Sequence, residues 1–235
     1  MKRSKSKSNT PDKAKNSAKS GSDSPDRRFE ESMKIDYEKW HDGVGYNMDA
    51  IKSASPEQRK TIEQILIHHI PRDWRDIEAL AQIDTTSARE TIKSAMKDPN
   101  TDVQIAVTRF APNLLTESER SQILIRALQT AEIFSGLSQA LDEIEEYHPK
   151  EIKKALTEGL LKREGDIAVL FAGMLFYIYG KATEAFDWNQ RPFFLNSNTE
   201  NKAERLHAFL ELCKQLDINP EKYLARNNKH EEPHK

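Results

Sequence analysis

The chain has 235 residues and a formal charge of −2, and its charge is divided unevenly between the beginning and the rest. Residues 1–28 carry nine Lys or Arg against three Asp, a net charge of +6, which leaves −8 for the remainder. An acidic body argues against a large phosphate-binding face, and a segment with almost no apolar side chains cannot form a core. We therefore expect a disordered basic tail over residues 1–28, a folded domain over residues 29–224 and a polar disordered tail over residues 225–235.

Two further features bear on where the protein acts. The basic start is not followed by an apolar leader, and the longest strongly apolar run, Ile167 to Tyr179, is shorter than the ~20 residues that span a bilayer. These features predict a cytoplasmic protein without a membrane segment. The single cysteine, Cys213, allows neither an intramolecular disulfide nor a cysteine-based zinc site, and its place on an apolar stripe predicts a buried thiol.

Helical periodicity dominates from about residue 55 onward, where apolar side chains recur every three or four positions. Eight successive helices are predicted between Ser55 and Gly180, separated by short turns. Residues 37–53 are predicted to be helical in pieces. A last helix is predicted over residues 206–216, with an apolar face formed by Leu206, Phe209, Leu210, Cys213 and Leu216. The eight helices are marked by Pro56, Trp74, Thr86, Thr101, Thr116, Phe134, Pro149 and Asp166.

The predicted helices pair, and the pairs repeat at a fixed offset. Moving Asp102 and Val103, at the head of the fourth helix, by 64 positions gives Asp166 and Ile167 at the head of the eighth helix, and the apolar phase is retained. Half of that offset, 32 positions, carries the apolar face of the third helix onto the fifth. A recurring unit of this size predicts an architecture in which helix pairs stack on one another.

An Asp followed by an aliphatic residue at the head of the second helix is typical of the HEAT and HEAT-like (PBS-lyase-type) repeat families, and the stretch from Ser55 to Gly180 resembles them. The resemblance implies an all-α fold in which antiparallel helical hairpins form a right-handed stack, a HEAT-like α-solenoid of about four repeats with terminal capping helices. The strings Tyr37–Gly43 and Phe186–Phe194 also look like those of bacterial HEAT-repeat proteins of loosely assigned role. The resemblance implies a protein that binds other macromolecules.

Catalytic and metal-binding patterns are missing from the sequence. His68 and His69 are adjacent on a predicted helix, so their side chains point about 100° apart and cannot share one metal ion. The chain contains no HExxH, CxxC or GxSxG motif and no glycine-rich phosphate loop. We therefore expect no metal, no cofactor and no enzymatic activity.

An acidic run on the predicted sixth helix is the first candidate binding surface. With the apolar stripe of that helix facing inward, Asp142, Glu143, Glu145 and Glu146 are left to solvent. Two interpretations stay open. The run is either a face that recognises a basic partner or an ordinary solvated helix surface.

An aromatic-rich stretch after the eighth helix is the second candidate. It has no helical stripe and is long for a connection within a compact repeat array, so we expect it to be functional or packed on the end of the array. Within it, Asp187 and Arg191 either pair with each other or face solvent, where Arg and aromatic side chains are enriched at the hot spots of interfaces. Its candidate contact residues are Asp187, Trp188, Arg191, Phe193 and Phe194.

Trp74 is the third candidate. It stands at a helix start, within the polar string from Arg72 to Asp76. Its large ring either seals the first hairpin against the core or stays exposed as an anchor for a partner.

Stacked hairpins present an extended surface and no group of residues converges on a reaction centre, so the sequence favours a module for protein–protein interaction. The acidic body and the bacterial resemblance suggest an immunity or inhibitor protein that neutralises a cationic, nucleic-acid-degrading toxin. One alternative is a HEAT-like DNA-binding or DNA-repair protein of the alkylbase glycosylase type, with Asp187, Trp188 and Arg191 at its site. Another is a scaffold subunit tethered by its basic tail, which has the charge for weak contact with nucleic acid.

Overall fold

The computed structural model describes residues 24–133, 135–187 and 189–227, and within these ranges the chain is all-helical. These ranges hold fourteen α-helices, two short 3-10 turns and no β-strand, so the predicted all-α class is confirmed. In this part of the chain, no helix combines the length and the apolar character needed to cross a bilayer. Most of the predicted basic tail, Phe134 and Trp188 lie outside the described residues.

The chain divides into two compact units, residues 1–69 and residues 70–235. The first unit contains α1 (Pro25–Ser32), α2 (Tyr37–His41), α3 (Met48–Ser53) and α4 (Pro56–His68). Helix α1 packs against α3 and α4. Phe29 on α1 is fully buried and meets the ring of Tyr46 edge to face, with 5.6 Å between ring centroids.

Helix α1 begins earlier than the sequence indicates. The predicted tail ends at residue 28, but the helix begins at Pro25 and therefore includes Arg27 and Arg28. Proline fits the first turn of a helix because the backbone donor that it lacks has no helical partner there. One buried aromatic side chain, Phe29, then docks a stretch whose other residues are mostly polar.

The second unit contains ten helices among its described residues. Consecutive helices pack against each other from α5 to α9, and α10 packs against α11. Helices two places apart also touch: α5 with α7, α7 with α9, α9 with α11, and α8 with α10. The ten are α5 (Trp74–Ile83), α6 (Thr86–Ala95), α7 (Thr101–Phe110), α8 (Glu117–Thr130), α9 (Leu137–Glu146), α10 (Lys150–Lys162), α11 (Asp166–Ile178), α12 (Arg191–Phe194), α13 (Lys202–Gln215) and α14 (Glu221–Asn227).

Local sequence signals explain where several of these helices begin. The side chains of Ser55 and Thr116 each accept a hydrogen bond from the third backbone N–H of the helix that follows. In return, the side chains of Gln58 and Glu119 accept one from the backbone N–H of the cap residue. These reciprocal bonds satisfy donors that have no partner inside the helix. The predicted starts of α4 and α8 are confirmed.

Helix α13 buries part of its predicted apolar face, since Phe209, Cys213 and Leu216 are buried. Leu206 and Leu210, which the sequence places inward, are 39% and 37% exposed. Arg205 is buried instead, and its guanidinium donates to a carboxylate oxygen of Glu164 at 2.6 Å. Helix α13 packs against α10 and the 3-10 turn at residues 195–197, and no later helix of comparable length among the described residues covers its outer side.

The end of the folded domain also differs from the prediction. Helix α14 continues to Asn227, so the predicted start of the C-terminal tail at residue 225 is too early. Tyr223 on this helix lies edge to face with Phe209 of α13, with 6.3 Å between ring centroids. This contact docks α14, the last described helix, on α13.

The contact between α10 and α11 depends on the absence of a side chain. A Cβ atom at Gly159 would overlap the ring of Phe171, which is fully buried. We expect Gly159→Ala to lower the free energy of unfolding by about 1–3 kcal/mol, although Ala favours a helix by ~1 kcal/mol over Gly. Chemical denaturation measures the change.

The control is the double variant with Phe171→Leu, which removes the ring from the overlap. In the Phe171→Leu background, Gly159→Ala is expected to lower the free energy of unfolding by clearly less than it does in wild type. The effects of the two substitutions are then not additive, as expected for residues in contact. Equal costs in both backgrounds would contradict the close approach of α11 to the backbone of α10.

Candidate functional site

Helix α9 positions the acidic run. The helix begins after Gly136, whose φ of 95° lies in the left-handed region. Its apolar stripe is buried among the helices on either side, which leaves the carboxylates on the remaining positions. The buried residues of the stripe are Leu137, Ala140, Leu141 and Ile144.

Glu143 is not one of the solvent-facing carboxylates, which corrects the expectation from the sequence. Its side chain is 13% exposed, and Nη2 of Arg120 donates to its Oε2 at 3.1 Å. The guanidinium of Arg120 also lies over the ring of Tyr147, 4.1 Å from its centroid. Glu143 therefore joins α8 to α9, and its role is structural.

The other three carboxylates form what we call the acidic patch: Asp142, Glu145 and Glu146. Asp142 and Glu146 are exposed, Glu145 is partly buried, and no ion pair within the described residues involves any of them. Burial raises the pKa of Glu145, and the nearby charges of Asp142 and Glu146 raise it further. The patch is thus a set of like charges at helical spacing that do not neutralise one another.

The position of the acidic patch on its helix makes it unfavourable for the fold. Glu145 and Glu146 occupy the last turn of α9, where the helix dipole favours cations. Like charges three or four positions apart on a helix also repel, which costs roughly 0.2–0.5 kcal/mol for each pair. The negative charges of the patch therefore destabilise the helix that carries them.

The aromatic-rich stretch, residues 181–198, which we call the aromatic loop, turns two of its three phenylalanines toward the protein, whereas Phe186 is exposed. Phe194 is 3% exposed and meets Phe176 of α11 edge to face at 5.0 Å between centroids, while Phe193 lies 5.3 Å from the same ring. A Cβ atom at Gly173 of α11 would lie 2.8 Å from the carbonyl oxygen of Ala185, so this part of the loop lies directly on the helix. Phe194 is therefore packed on the end of the helices, as one of the two expectations had it. Phe193 is partly buried and keeps some of its ring accessible to solvent.

The polar members of the loop are placed less deeply. Asp187 is partly buried and its carboxylate accepts a hydrogen bond from the backbone N–H of Asn189 at 2.9 Å, as in a local turn. Arg191 begins α12 and is exposed. Trp188, which was also predicted as a contact residue of this loop, lies outside the described residues.

Trp74 lies at the start of α5 and is half-buried. Its ring stacks on Phe110 of α7 with 6.3 Å between centroids, and the guanidinium of Arg75 lies 4.6 Å from its centroid. Arg75 is itself 1% exposed and donates to the carboxylate of Asp73 at 3.0 Å. The structure thus places Trp74 in the contact between α5 and α7, where it acts as a sealing residue.

Asp102, which marked the repeat in the sequence, has an unusual environment. Its Oδ1 is buried without a hydrogen-bond partner among the described residues, and a Cβ at Gly136 would lie 2.6 Å from it. Burial raises the pKa of Asp102, with a smaller contribution from the charge of Asp73. Asp102 therefore packs closely on the start of α9.

A groove that sequence reasoning did not find lies at the end of the second unit. One wall is the segment from Phe193 to Thr199, and the other is one face of α13. The signal in the sequence is a four-residue spacing along α13. The positions with this spacing that line the groove are Ala203, His207, Glu211 and Gln215.

Metal and thiol chemistry find no support in the described residues. No group of three or more His, Cys, Asp or Glu side chains there is arranged to hold a metal ion. His68 bonds through Nδ1 to the backbone carbonyl of Gln64 at 2.7 Å. Cys213 is buried as predicted, and burial raises its pKa to about 11, so it is a poor nucleophile.

No family model, curated protein or solved structure matches this chain.

Removing a charge from the acidic patch is expected to stabilise the protein. Glu146→Gln relieves repulsion with Asp142 and removes an anion from the C-terminus of α9, so we expect the free energy of unfolding to rise by roughly 0.3–1 kcal/mol. Urea denaturation at low ionic strength measures it.

The matched control is Glu143→Gln, three positions earlier on the same helix. It leaves the partly buried guanidinium of Arg120 without its counter-charge, and we expect a loss of about 1–2 kcal/mol. If the free energy of unfolding rises for Glu146→Gln and falls for Glu143→Gln, Glu146 belongs to the acidic patch and Glu143 to a structural ion pair. A loss of stability in both variants would contradict this assignment.

The raised pKa of Glu145 predicts a pH dependence of stability. A carboxyl whose pKa is higher in the folded protein binds its proton more tightly there, so its stabilising contribution is present below the ordinary value of 4.5 and is lost as pH rises through the raised value. Glu145→Gln should therefore gain stability relative to wild type between about pH 4 and about pH 7. A difference between the two proteins that is constant with pH would contradict the raised pKa.

Proposed function

We propose that the protein is a binding module of the HEAT-like kind that recognises a protein partner with a basic surface. It holds its partner by contact and electrostatic attraction and carries out no reaction. Two observations support this function: the repeat pattern of the sequence and the acidic patch on α9.

The helix contacts support a stacked arrangement of hairpins. In such a stack each helix packs against its neighbour in the chain and against the helix two places away. Most contacts from α5 to α11 are of these two kinds, and the pairs α9 with α10 and α6 with α8 are the exceptions. The pairs α6 with α7, α8 with α9 and α10 with α11 are the units of the proposed stack. The first predicted pair, α4 with α5, is divided between the two compact units of the chain.

The acidic patch is the observation that carries the function. Several acidic residues of the second unit sit in ion pairs, such as Glu132 with Arg163 at 3.1 Å and Glu164 with Arg205 at 2.6 Å. The patch has no such partner among the described residues and is unfavourable for its own helix. Charges that oppose the stability of a fold are typical of functional surfaces.

Within this class we propose an immunity or inhibitor protein that covers a cationic toxin acting on nucleic acid. Proteins that bind nucleic acid carry clustered Lys and Arg, and an acidic surface is complementary to them. The described residues of the second unit contribute 25 acidic and 20 basic side chains, a net charge of −5. The negative charge is also expected to speed association with a basic partner, and salt weakens this effect.

The test is capture of partners from the native host on the immobilised full-length protein, with identification by mass spectrometry. Wild type is compared with Asp142→Lys/Glu146→Lys and with Glu90→Lys, a charge reversal on the exposed side of α6. We expect a basic protein to be retained by wild type and by Glu90→Lys, to be lost with the patch variant and to be released by salt.

Retention of the same proteins by all three forms would contradict a role for the patch. Release of bases from an alkylated DNA duplex, abolished by Asp187→Asn, would replace the proposal with a DNA-repair function. Binding that is lost only when residues 1–23, which precede α1, are deleted would favour a scaffold tethered by its tail.

A further inference from the structure

The groove at the end of the second unit, which we call the terminal groove, is lined by both apolar and polar side chains. Its walls are the segment from Phe193 to Thr199 and the outward face of α13. Apolar side chains line both walls: Phe193 and Leu195 on one, and Ala203 and Ala208 on the other. Leu195 is 42% exposed, which is high for a leucine inside a folded unit.

The length of the terminal groove matches one short helix. The lining positions on α13 run from Ala203 to Gln215, which corresponds to about 18 Å of helix at 1.5 Å per residue. The spacing of four residues places them along a single face of α13. A partner helix of roughly three turns has this length, and amphipathic helices bind in grooves of this kind.

The charges on the terminal groove are of one sign. Glu204 and Glu211 are the charged residues that line it, and the other polar groups are His207, Thr199 and side-chain amides. No Lys or Arg is among the lining residues. The occupant that complements this surface has an apolar stripe flanked by basic residues.

The helix contacts explain why an unfilled surface occurs at this place. Helix α8 packs against α10, and α10 packs against α13. Among the described residues that follow α13, only the seven-residue α14 is helical, and it docks on Phe209, which is on the inner side of α13. The outward face of α13 is therefore where a further helix would continue the packing.

From these observations we infer that the terminal groove binds an amphipathic helix of a partner protein, with the apolar side of that helix on Phe193 and Leu195 and its basic residues beside Glu204 and Glu211. The occupant extends the row of helices formed by α8, α10 and α13. The inference shares its class of function with the proposal above but uses a different surface, so the two can fail separately.

The N-terminal tail of this chain is a poorer occupant. Its basic residues suit the two glutamates, but residues 1–23 contain only Met1, Ala14 and Ala18 as apolar side chains. A helix with so little apolar surface cannot cover the two aromatic and aliphatic residues of the opposite wall. The chemistry of the groove therefore favours a separate protein.

The test uses a fluorescent helical peptide of about 14 residues, built from Leu, Ala and Lys with Leu at positions i, i+3, i+4 and i+7. The control peptide has Glu in place of Lys. Fluorescence anisotropy with the full-length protein is expected to show saturable one-to-one binding of the Lys peptide and at least about ten-fold weaker binding of the Glu peptide.

Three protein variants locate the bound peptide. Glu204→Lys/Glu211→Lys is expected to weaken binding at least about ten-fold by reversing the charge of the groove. Because Glu204 also accepts a hydrogen bond from Thr199 at 2.6 Å, Glu211→Lys alone and Ala203→Phe, which fills the groove, are measured beside it. The matched control is Asp142→Lys/Glu146→Lys on α9, which should leave the affinity for the peptide within about two-fold.

Each other outcome overturns the inference. Binding that depends on the α9 variant and not on the groove variants would assign the peptide to the acidic patch. Equal binding of both peptides would remove the role of Glu204 and Glu211. A protein that sediments as a dimer, and becomes a monomer with Ala203→Phe, would assign the groove to a second copy of the chain.

Discussion

The apolar contact between α10 and α11 is the constraint on which the rest of the second unit depends. Phe171 is fully buried against the backbone of α10, and only glycine at position 159 leaves room for it. Helix α11 is apolar on nearly all sides, so it must be covered by α9, α10 and the loop that carries Phe194. Burial of this one helix therefore determines where α9 lies and folds the aromatic loop inward. The acidic patch lies on α9, which α11 contacts, and one wall of the terminal groove is the segment after α11 that packs on it.

Arginine side chains join these helices where apolar contacts end. Arg163 follows α10 and donates to the backbone oxygen of Ala131 at 2.7 Å and to the carboxylate of Glu132 at 3.1 Å, which satisfies acceptors near the end of α8. Arg120 and Arg205 make comparable links to acidic residues on other elements. Because three arginines with three acidic partners carry out this task, the carboxylates of the acidic patch are not needed for it. Their charge remains available for a partner.

Much of the fold could be predicted because its signals are local. Caps such as Ser55 and Thr116, and an apolar stripe at helical spacing, act within a few residues of one another. The errors arose where the partner is distant in the chain. Glu143 looks like its acidic neighbours until Arg120, 23 residues earlier, is placed beside it. Leu206 and Leu210 look like core residues, and only the position of α13 at the end of the row leaves them exposed.

The two candidate surfaces share one physical origin. In the interior of a helical fold, each helix finds apolar cover from its neighbours, and its charges find partners on adjacent elements. The acidic patch is a place where the charges lack such partners among the described residues, and the terminal groove is a place where the apolar cover ends. Local rules of sequence do not show which charges stay unpaired or where the apolar cover ends, because both depend on what neighbouring elements supply. The sequence therefore did not predict the groove. It predicted the acidic patch, but wrongly placed Glu143 within it. A partner that brings positive charge to α9 or an apolar helix face to α13 provides what the fold leaves unsatisfied.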